Sequence, residues 1–529
     1  MRLIFRSRGS ARLWSAMRLL PSVVLALLLA VPPAAGAAPS DAPRKGKLHV
    51  RIVLGGGATS VIADNVVPDE VIADEYIVAF GNGVAGPILY GPSPNARLAN
   101  GMPGPLLYGP SRGDGLAQEA VLRSDAAERR VEERHDGSVV MDRYRAAIVG
   151  FSARLTPEAV QEIRQIPDVR VEPNRRVAAP NDGVASEPGF LIRVASPALR
   201  RTWLKIASAP VPRGLDRIDQ RLVPPDHMYQ ARFTGAGVHV YVIDTGVLAT
   251  HNEFGGRVLA GYDATTNKLG TRDCANHGTG VASVIGGRTL GVAPGVTIHP
   301  VQVFPCSGNS TVAAMVAGVN WVAQDRVTAW KNSPVVVNVS FMTLSGPQDT
   351  QTSLLNTAIA NSITVGGIPY VIAAGNALPN KYAVDACTVS PALVGPAITV
   401  GNIKPENDGR VMDSNYGSCV DLFAPGVRIP AASSGGNKST GTGDGTSFAA
   451  PHVTGVVALY LEKHHDATPS QVWAAIFNAA DVKPAPYNWP GIDNPGPGSP
   501  NVLLHWGCGS DDGSVDASPP TSAQPLPHC

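Results

Sequence analysis

Residues 445–453 read Gly-Thr-Ser-Phe-Ala-Ala-Pro-His-Val, a serine at the start of an apolar stretch that predicts a buried helix. Upstream, residues 242–246 read Val-Ile-Asp-Thr-Gly and residues 276–280 read Asn-His-Gly-Thr-Gly. A serine hydroxyl is a weak nucleophile at neutral pH, and it needs a histidine to take its proton and a buried carboxylate to orient that histidine. The order Asp, His, Ser is one in which such triads occur. The predicted trio is Asp244, His277 and Ser447.

Short apolar runs separate these segments. They lie at 238–243, 335–339, 370–374 and 397–400, and they predict strands buried on both faces of a parallel sheet. Helical patterns alternate with them at 310–327 and 454–464, and residues 468–471 (Thr-Pro-Ser-Gln) have the form of a capping box. The alternation predicts an α/β fold with a largely parallel sheet and helices on both faces, which we assign to residues 211–507.

The preceding part of the chain has a different pattern. Strand-like runs at 76–80, 146–151 and 167–173, with a helix opening at Thr156-Pro157, predict a small α+β domain over residues 74–176. Residues 38–73 are predicted to be a loose leader, and residues 86–93 return at 104–111 as a duplicated surface loop. Residues 177–210, rich in Pro, Ala and Arg, predict an exposed linker.

The N-terminal 37 residues have the layout of a secretory signal peptide. Five arginines precede the apolar run 19–31, and Ala35-Gly36-Ala37 offers a small-x-small cleavage site. A membrane anchor is the alternative, but this run is shorter than the roughly 20 residues that span a bilayer. We therefore expect a secreted, extracellular protein without stable membrane insertion, ending in a polar tail at 508–529.

Charge and cysteine content narrow the function further. The 43 basic and 42 acidic residues give a net charge of +1, which provides no electrostatic basis for nucleic-acid binding. An even number of cysteines in an exported chain favours disulfides, and the spacing suggests neighbouring pairs, although six cysteines allow fifteen pairings. The cysteines are Cys274, Cys306, Cys387, Cys419, Cys508 and Cys529.

Each member of the predicted site also has a structural interpretation. Asp244 follows a strand and suits a turn cap, His277 suits a surface position, and Ser447 suits a helix N-cap. Asn376 follows the apolar run at 370–374, where an asparagine is often a turn residue, but its amide would also lie over the crevice at the strand ends. Because the four positions support one another, we favour catalysis, with Asn376 as the oxyanion donor.

These segments resemble the signatures of the subtilases, and residues 211–506 resemble the proteinase K subfamily, nearest to aqualysin-type enzymes. Further matching segments are 214–220 (Gly-Leu-Asp-Arg-Ile-Asp-Gln), 415–426 and 499–501. The resemblance implies a serine endopeptidase acting through an acyl-enzyme, with protein or peptide substrates, as a monomer. It also implies that residues 74–176 are a propeptide. This propeptide assists the folding of the protease domain, inhibits it, and is removed by self-cleavage within 177–210.

The resemblance assigns further residues. It implies the disulfides Cys274–Cys306 and Cys387–Cys419. The two remaining cysteines, Cys508 and Cys529, are left as a third candidate pair that the resemblance does not assign. It implies a structural calcium ion on Asp421 and the carbonyls of Gly395 and Ala397, and no organic cofactor. The substrate-binding residues that it implies are Gly308, Ser340, Phe341, Met342 and Gly375.

Three departures from the family pattern matter. Gly280 stands where a second histidine is usual, Phe448 where the family has methionine, and Met342 within a segment that is usually Ser-Leu-Gly-Gly. Met342 could narrow or fill a substrate site. The departures at Gly280 and Met342 motivate a rival hypothesis, a catalytically impaired relative that acts as a binding module. A lipase or esterase is disfavoured because the Gly-x-Ser-x-Gly elbow is missing at the nucleophile.

Overall fold

The computed structural model describes residues 50–52, 61–63, 71–80, 114–180, 184–186, 211–224, 226–265, 270–343, 354–377, 382–482 and 490–507. The chain divides into two compact units, 1–65 and 66–529. In the first unit, β1 (Val50–Ile52) pairs antiparallel with β2 (Val61–Ala63). The predicted signal peptide, the duplicated loop and the tail lie outside the described residues.

The second unit begins with a small α+β domain. Its elements are β3 (Val71–Phe80), α1 (Asp114–Arg134), β4 (Val139–Arg145), β5 (Val149–Arg154), α2 (Pro157–Arg164) and β6 (Val169–Val177). The predicted cap of α2 is confirmed, since Thr156 Oγ1 accepts from the N–H of Ala159 and proline occupies the first turn. The strand predicted at 76–80 starts earlier, at Val71, so the leader is not loose up to residue 73. Helix α1 and strand β4 were not predicted.

The remaining chain forms the larger domain. In order, its elements are β7 (Ala185–Ser186), α3 (Arg213–Ile218), β8 (His239–Asp244), β9 (Tyr262–Asp263), α4 (Gly278–Gly286), β10 (Thr297–Gln302), β11 (Ser310–Thr311), α5 (Val312–Thr328), β12 (Val335–Val339), α6 (Leu354–Thr364), β13 (Tyr370–Ala373), a 3-10 turn (Ala386–Thr388), β14 (Ile398–Ile403), β15 (Leu422–Pro425), β16 (Ile429–Ala432), β17 (Thr440–Gly443), α7 (Thr446–Lys463), α8 (Pro469–Ala479), β18 (Asp481–Val482) and β19 (Val502–Leu503).

Nine strands form the central sheet, in the order β18-β19-β15-β14-β13-β12-β8-β10-β9. All neighbouring pairs are parallel except β18 with β19. The predicted largely parallel sheet is therefore confirmed. Parallel strands need crossover connections, and the helices that supply them cover both faces. The carboxyl ends of the central strands consequently share one edge, where ligand crevices form in such sheets.

One helix boundary differs from prediction. The helix expected at 310–327 starts at Val312, because Ser310 and Thr311 pair with β6 of the small domain instead. The helical pattern at 454–464 continues the buried helix predicted to start at Ser447, and the two form one helix from Thr446 to Lys463. The capping box at Thr468 is confirmed, with reciprocal bonds between Thr468 and Gln471.

Strand β3 joins the two domains through its alternating side chains. Val78 and Phe80 pack against α1 and α2 in the core of the small domain. Ile77 and Ala79 point to the opposite face and pack in the core that includes α5 and α6 of the larger domain. Because successive side chains of a strand point to opposite faces, one strand contributes to both cores. The small domain therefore lies against α5 and α6.

Candidate active site

Asp244 and His277 form a buried pair at the carboxyl end of β8. Nδ1 of His277 lies 2.7 Å from Oδ1 of Asp244, and both side chains are fully buried. Asp244 is buried although it lies at a sheet edge, because α4 and the loop before it close over the strand end. A buried carboxylate needs compensating hydrogen bonds. The N–H of Thr245 supplies a second one, 2.7 Å from Oδ1. The pair orients the imidazole and leaves its Nε2 as the nitrogen that can accept a proton.

A second buried carboxylate, Asp273, holds the loop that carries His277. Its Oδ1 accepts from the N–H of Asn276 at 2.9 Å and from Thr245 Oγ1 at 2.8 Å, and its Oδ2 accepts from the N–H of Thr279 at 2.8 Å. Burial raises the pKa of Asp273, and the hydrogen bonds from Thr279 and Thr245 oppose that rise. Sequence reasoning missed this residue, although an aspartate followed by a turn and a helix start is a recognisable signal.

Ser447 lies in the first turn of α7. The chain enters this helix through Gly445, whose φ of 110° favours glycine. Ser447 is 4% exposed. Its Oγ donates to the carbonyl of Ser340 at 3.2 Å, and Ser340 Oγ donates to the carbonyl of Ser447 at 3.0 Å. The following residue, Phe448, packs edge-on against the imidazole of His277, with ring centroids 5.8 Å apart. The start of α7 is thereby brought against the Asp244–His277 pair.

Two buried polar residues support Ser340 and were missed from the sequence. Asn338 donates from Nδ2 to Ser340 Oγ at 2.9 Å, and its Oδ1 accepts from Thr454 Oγ1 at 2.8 Å. Thr454 lies two turns into α7. The chain of hydrogen bonds therefore ties the end of β12 to two places on the helix that carries Ser447.

Asn376 is oriented by the residue before the serine. Its Oδ1 accepts from the N–H and from Oγ1 of Thr446, at 3.0 and 3.1 Å. Thr446 Oγ1 also accepts from the N–H of Gly375 at 3.1 Å. With the amide oxygen held on Thr446, the orientation of the side chain is fixed and Nδ2 is its donor end. Thr446 was not singled out from the sequence, because its contact partner lies 70 positions away.

The expected substrate-binding residues lie along the same edge. Phe341 is 5% exposed and packs edge-on against Phe304, with centroids 5.6 Å apart. A Cβ on Gly375 would lie 2.7 Å from Sδ of Met342, so the Met342 side chain covers the backbone of Gly375. Gly308 has a φ of +107° and open space at its Cβ position. Met342 therefore fills space beside Gly375.

Disulfides connect the site to its surroundings. The structure contains Cys274–Cys306 and Cys387–Cys419, each closing a separation of 32 residues. The first joins the loop before His277 to the segment before β11. Such loops contribute about 3–4 kcal/mol to stability in the chain-entropy description. Cys508 and Cys529 lie outside the described residues.

Asp421 is the side-chain ligand of the expected calcium site. Its Oδ2 accepts from the N–H of Thr399 at 2.7 Å, beside the loop that contains Gly395 and Ala397. Burial raises the pKa of Asp421 to about 7, which indicates a carboxylate with little compensating positive charge. Within the described ranges, no cluster of three or more His, Cys, Asp or Glu side chains could hold a metal. Carbonyl and water oxygens would have to complete the shell, which suits calcium.

The chain is similar in sequence to known protein families and to individual proteases. The profile of the subtilase family matches residues 235–509, and that of peptidase inhibitor I9 matches residues 75–179. The chain is 42% identical over 371 residues to an extracellular serine proteinase of Thermus sp. (strain Rt41A), covering 70% of this chain and 78% of that protein. It is 39% identical over 378 residues to alkaline serine exoprotease A of Vibrio alginolyticus, covering 70% of this chain and 62% of that protein. A cold-adapted subtilisin-like serine proteinase of known crystal structure is 42% identical, with a TM-score of 0.49, covering 56% of this chain and 98% of that chain.

Proposed function

This chain belongs to the subtilase family of serine endopeptidases and carries an inhibitor I9 propeptide, and we propose that Ser447, His277 and Asp244 are its catalytic residues. The observation that carries the proposal is the buried Asp244–His277 pair, 2.7 Å apart, lying against the helix that begins with Thr446 and Ser447. The pair fixes the tautomer of the imidazole, and the helix start directs backbone N–H groups and its dipole toward a developing anion.

The proposed reaction has two halves. Before the reaction, the Ser447 hydroxyl donates to the Ser340 carbonyl. Ser447 Oγ then attacks the carbonyl carbon of the substrate and gives its proton to Nε2 of His277. His277 then gives this proton to the amine as the peptide C–N bond breaks, leaving an acyl group on Ser447. Water, deprotonated by His277, then attacks the acyl carbon. The bond between the acyl carbon and Ser447 Oγ breaks, His277 returns the proton to Oγ, and the acid is released. In both halves Nδ2 of Asn376 donates to the tetrahedral oxyanion.

The small domain is proposed to be the inhibitory propeptide, over residues 74–176. Two of its side chains cap helices of the larger domain: Asn174 Oδ1 accepts from the N–H of Ala313 at 3.0 Å, and Glu172 Oε2 accepts from the N–H of Leu354 at 2.8 Å. These N–H groups lie at the starts of α5 and α6, where acceptors are needed and negative charge is favoured. The capping contacts support a domain that stabilises the enzyme while it is attached.

The end of the small domain supports self-cleavage nearby. Val177 pairs with Ser310 on β11, and the N–H of Ala179 donates to Asn309 Oδ1 at 3.2 Å. Val184 binds Asn276, the residue before His277, through its backbone N–H at 3.0 Å. We propose that the first cleavage falls between Ala179 and Val184, within the range 177–210 expected from the sequence. The linker is not exposed throughout, because Val177 and Val184 are buried.

Labelling and mass measurement test the proposed function. Secreted wild-type protein should react with a fluorophosphonate and lose its propeptide, whereas Ser447→Ala should do neither when it is made without other proteases. Ser333→Ala, at the opposite end of β12, is the matched control and should behave as wild type. A Ser447→Ala protein that is trimmed normally would contradict self-cleavage. Unlabelled, correctly folded wild-type enzyme would favour the binding-module hypothesis.

Calcium binding and export are proposed together with this function. Asp421 and the carbonyls of Gly395 and Ala397 are the proposed calcium ligands, and a bound ion would neutralise the carboxylate and join the loop before β14 to β15. Secretion is supported by the two disulfides, which persist in oxidising compartments. It is also supported by the N-terminal sequence pattern, which lies outside the described residues. No helix in the described part of the chain is long and apolar enough to span a bilayer.

A further inference from the structure

Val184 is inserted into an apolar pocket beside the proposed catalytic residues. It is 4% exposed and packs in a small cluster with Val284, Ile429, Ala431 and Phe448. Its backbone is held on both sides, since its N–H donates to the carbonyl of Asn276 at 3.0 Å and Asn276 Nδ2 donates to its carbonyl. The next two residues pair antiparallel with β17, Ala185 with Thr442 and Ser186 with Gly441. The segment is therefore bound as a strand, with one side chain inserted into the protein.

Gly280 forms the pocket wall that Val184 contacts. A Cβ on Gly280 would lie 2.4 Å from Cγ2 of Val184 and 3.2 Å from Cε1 of Phe448. Any larger residue at 280 would therefore occupy the space of the valine side chain. Gly280 is fully buried within α4, one turn beyond His277. This glycine replaces the histidine that is usual at this position, so the space is a property of this sequence.

Phe448 forms the floor of the pocket and fits because of a second glycine. A Cβ on Gly443 would lie 2.2 Å from Cζ of Phe448, so the ring lies directly against the backbone of β17. Phe448 is fully buried, between this strand and the imidazole of His277. The pocket thus lies between the catalytic histidine and the strand that pairs with residues 185–186.

The direction of the chain shows which side of the scissile bond the pocket serves. Ala179 lies at β11 and Val184 lies at β17, and the chain runs from the first to the second. With the cleavage proposed between Ala179 and Val184, a side chain at the position of Val184 is C-terminal to the cleaved bond, on the side of the leaving amine. Only a side chain without polar atoms fits, because the lining residues Val284, Ile429, Ala431 and Phe448 are apolar.

We propose that Gly280 and Phe448 form a specificity pocket for a branched aliphatic side chain on the leaving-group side of the cleaved bond, and that Val184 occupies it in the precursor. This inference rests on the proposed function and adds to it a substrate preference. Val184 lies C-terminal to the proposed first cleavage, so the pocket is vacated only when the linker over residues 177–210 is removed as well. It then accepts valine or isoleucine of a substrate. One methylene group more or fewer on a substrate side chain in a hydrophobic pocket changes kcat/KM by roughly 10–200-fold.

The test uses processed wild-type enzyme and internally quenched peptides. All peptides share one sequence on the acyl side, and each of the first four leaving-side positions is varied in turn among Gly, Ala, Val, Ile, Phe, Asp and Lys. At one position, Val and Ile should exceed Gly and Asp in kcat/KM by roughly 10–200-fold. A flat profile at all four positions would overturn the pocket. Failure to cleave any peptide, together with no fluorophosphonate labelling, would overturn the proposed function and the pocket with it.

Substitutions at Gly280 test whether this pocket causes the preference for valine and isoleucine. In Gly280→Val, the preference at that same position should invert toward Gly and Ala, while the ranking at the other three positions stays as in wild type. Gly435→Ala, in the loop before β17 where a Cβ meets nothing closer than 3.4 Å, is the matched control and should keep the wild-type profile. If Gly280→Val does not fold, Gly280→Ala should show the same inversion to a smaller extent. An unchanged ranking in a folded variant at position 280 would contradict the assignment.

Discussion

Ser340 and Ser447 exchange hydrogen bonds, each hydroxyl donating to the carbonyl of the other residue, at 3.0 and 3.2 Å. The two residues are 107 positions apart in the chain. These two hydrogen bonds connect the end of strand β12 to the start of helix α7. The hydrogen bonds of Asn338 with Ser340 and Thr454 connect the same two elements deeper in the protein interior. Together these hydrogen bonds set the distance between the nucleophile and a strand expected to bind substrate.

The Ser340–Ser447 contact predicts a measurable stability loss. Ser340→Ala removes the hydroxyl that donates to Ser447 and accepts from Asn338, leaving the Asn338 amide short of one partner. We expect about 1–3 kcal/mol of lost stability, since a buried unsatisfied donor costs that much. Calorimetry of inactivated enzyme would measure it. Ser333→Ala should change the midpoint by much less, and an unaltered midpoint in Ser340→Ala would show that the exchange is not stabilising.

Asp244 should affect the rate much more than substrate binding. Asp244→Asn keeps the size of the side chain but favours the wrong imidazole tautomer, so we expect kcat to fall by about 10⁴-fold with KM little changed. Peptide hydrolysis under saturating substrate measures this. Asp273→Asn is an informative comparison because Asp273 holds the loop and does not contact the ring. A fall of equal size there, with wild-type stability, would contradict the distinct role of Asp244.

Substitutions of Asn376 and of Thr446 should lower kcat by different amounts. Asn376→Leu removes the proposed oxyanion donor and should lower kcat by about 10²–10³-fold, the size established for this donor in another subtilase. Thr446→Val removes only the hydroxyl that holds the amide oxygen of Asn376, while its N–H remains. We expect a smaller loss in kcat with KM unchanged. A Thr446→Val enzyme as impaired as Asn376→Leu would argue that the hydroxyl acts directly.

A buried histidine pair predicts acid sensitivity. His239 Nδ1 lies 2.8 Å from His299 Nε2, beneath Trp330 and near Asp325. Burial lowers the pKa of His299 to about 3 and also lowers that of His239. In the unfolded chain both groups titrate near pH 6.5. The unfolded state therefore binds more protons between these values, so the free energy of unfolding falls as the pH drops from about 6.5 toward 3.

The histidine prediction is tested by the slope of stability against pH. In His299→Gln the slope between pH 4 and 6.5 should be shallower than in wild type, whatever the change in stability at neutral pH. His465→Gln is the control, because that side chain is exposed. An identical slope in His299→Gln and wild type would show that this pair does not govern acid unfolding.

Calcium removal should destabilise the enzyme in a pH-dependent way. In the calcium-free site, burial raises the pKa of Asp421 to about 7, so protons compete with calcium for this carboxylate at pH 5.5 much more than at pH 8.5. Chelation should therefore lower the unfolding midpoint more at pH 8.5 than at pH 5.5, and Asp421→Asn should reduce the effect at the higher pH. Calorimetry on inactivated enzyme would measure it. A midpoint insensitive to chelator at pH 8.5 would rule out the site.

Local patterns were sufficient to predict the sheet and to select Asp244, His277 and Ser447 as the proposed catalytic trio. The apolar runs at 335–339 and 370–374 became β12 and β13, since their mostly apolar side chains have few alternatives to burial between two helix layers. The polar side chains within them, Asn338 and Tyr370, are hydrogen-bonded. Boundaries failed where a distant partner competed. Ser310 and Thr311 left the predicted helix because β6 supplied a strand to pair with, and β3 extended back to Val71 by pairing with the same strand.

The sequence by itself determined the residue types of the reaction, the order Asp244, His277, Ser447 and the alternation that yields a parallel sheet. Only the tertiary structure decided which side chains contact each other: Asp273 with the histidine loop, Asn338 with Thr454, Thr446 with Asn376, and Val184 with Gly280. The physical reason is that propensity and periodicity report each residue's chain neighbours. A hydrogen bond across a hundred residues, or a pocket left by a missing side chain, depends on strand order and on how closely two elements pack.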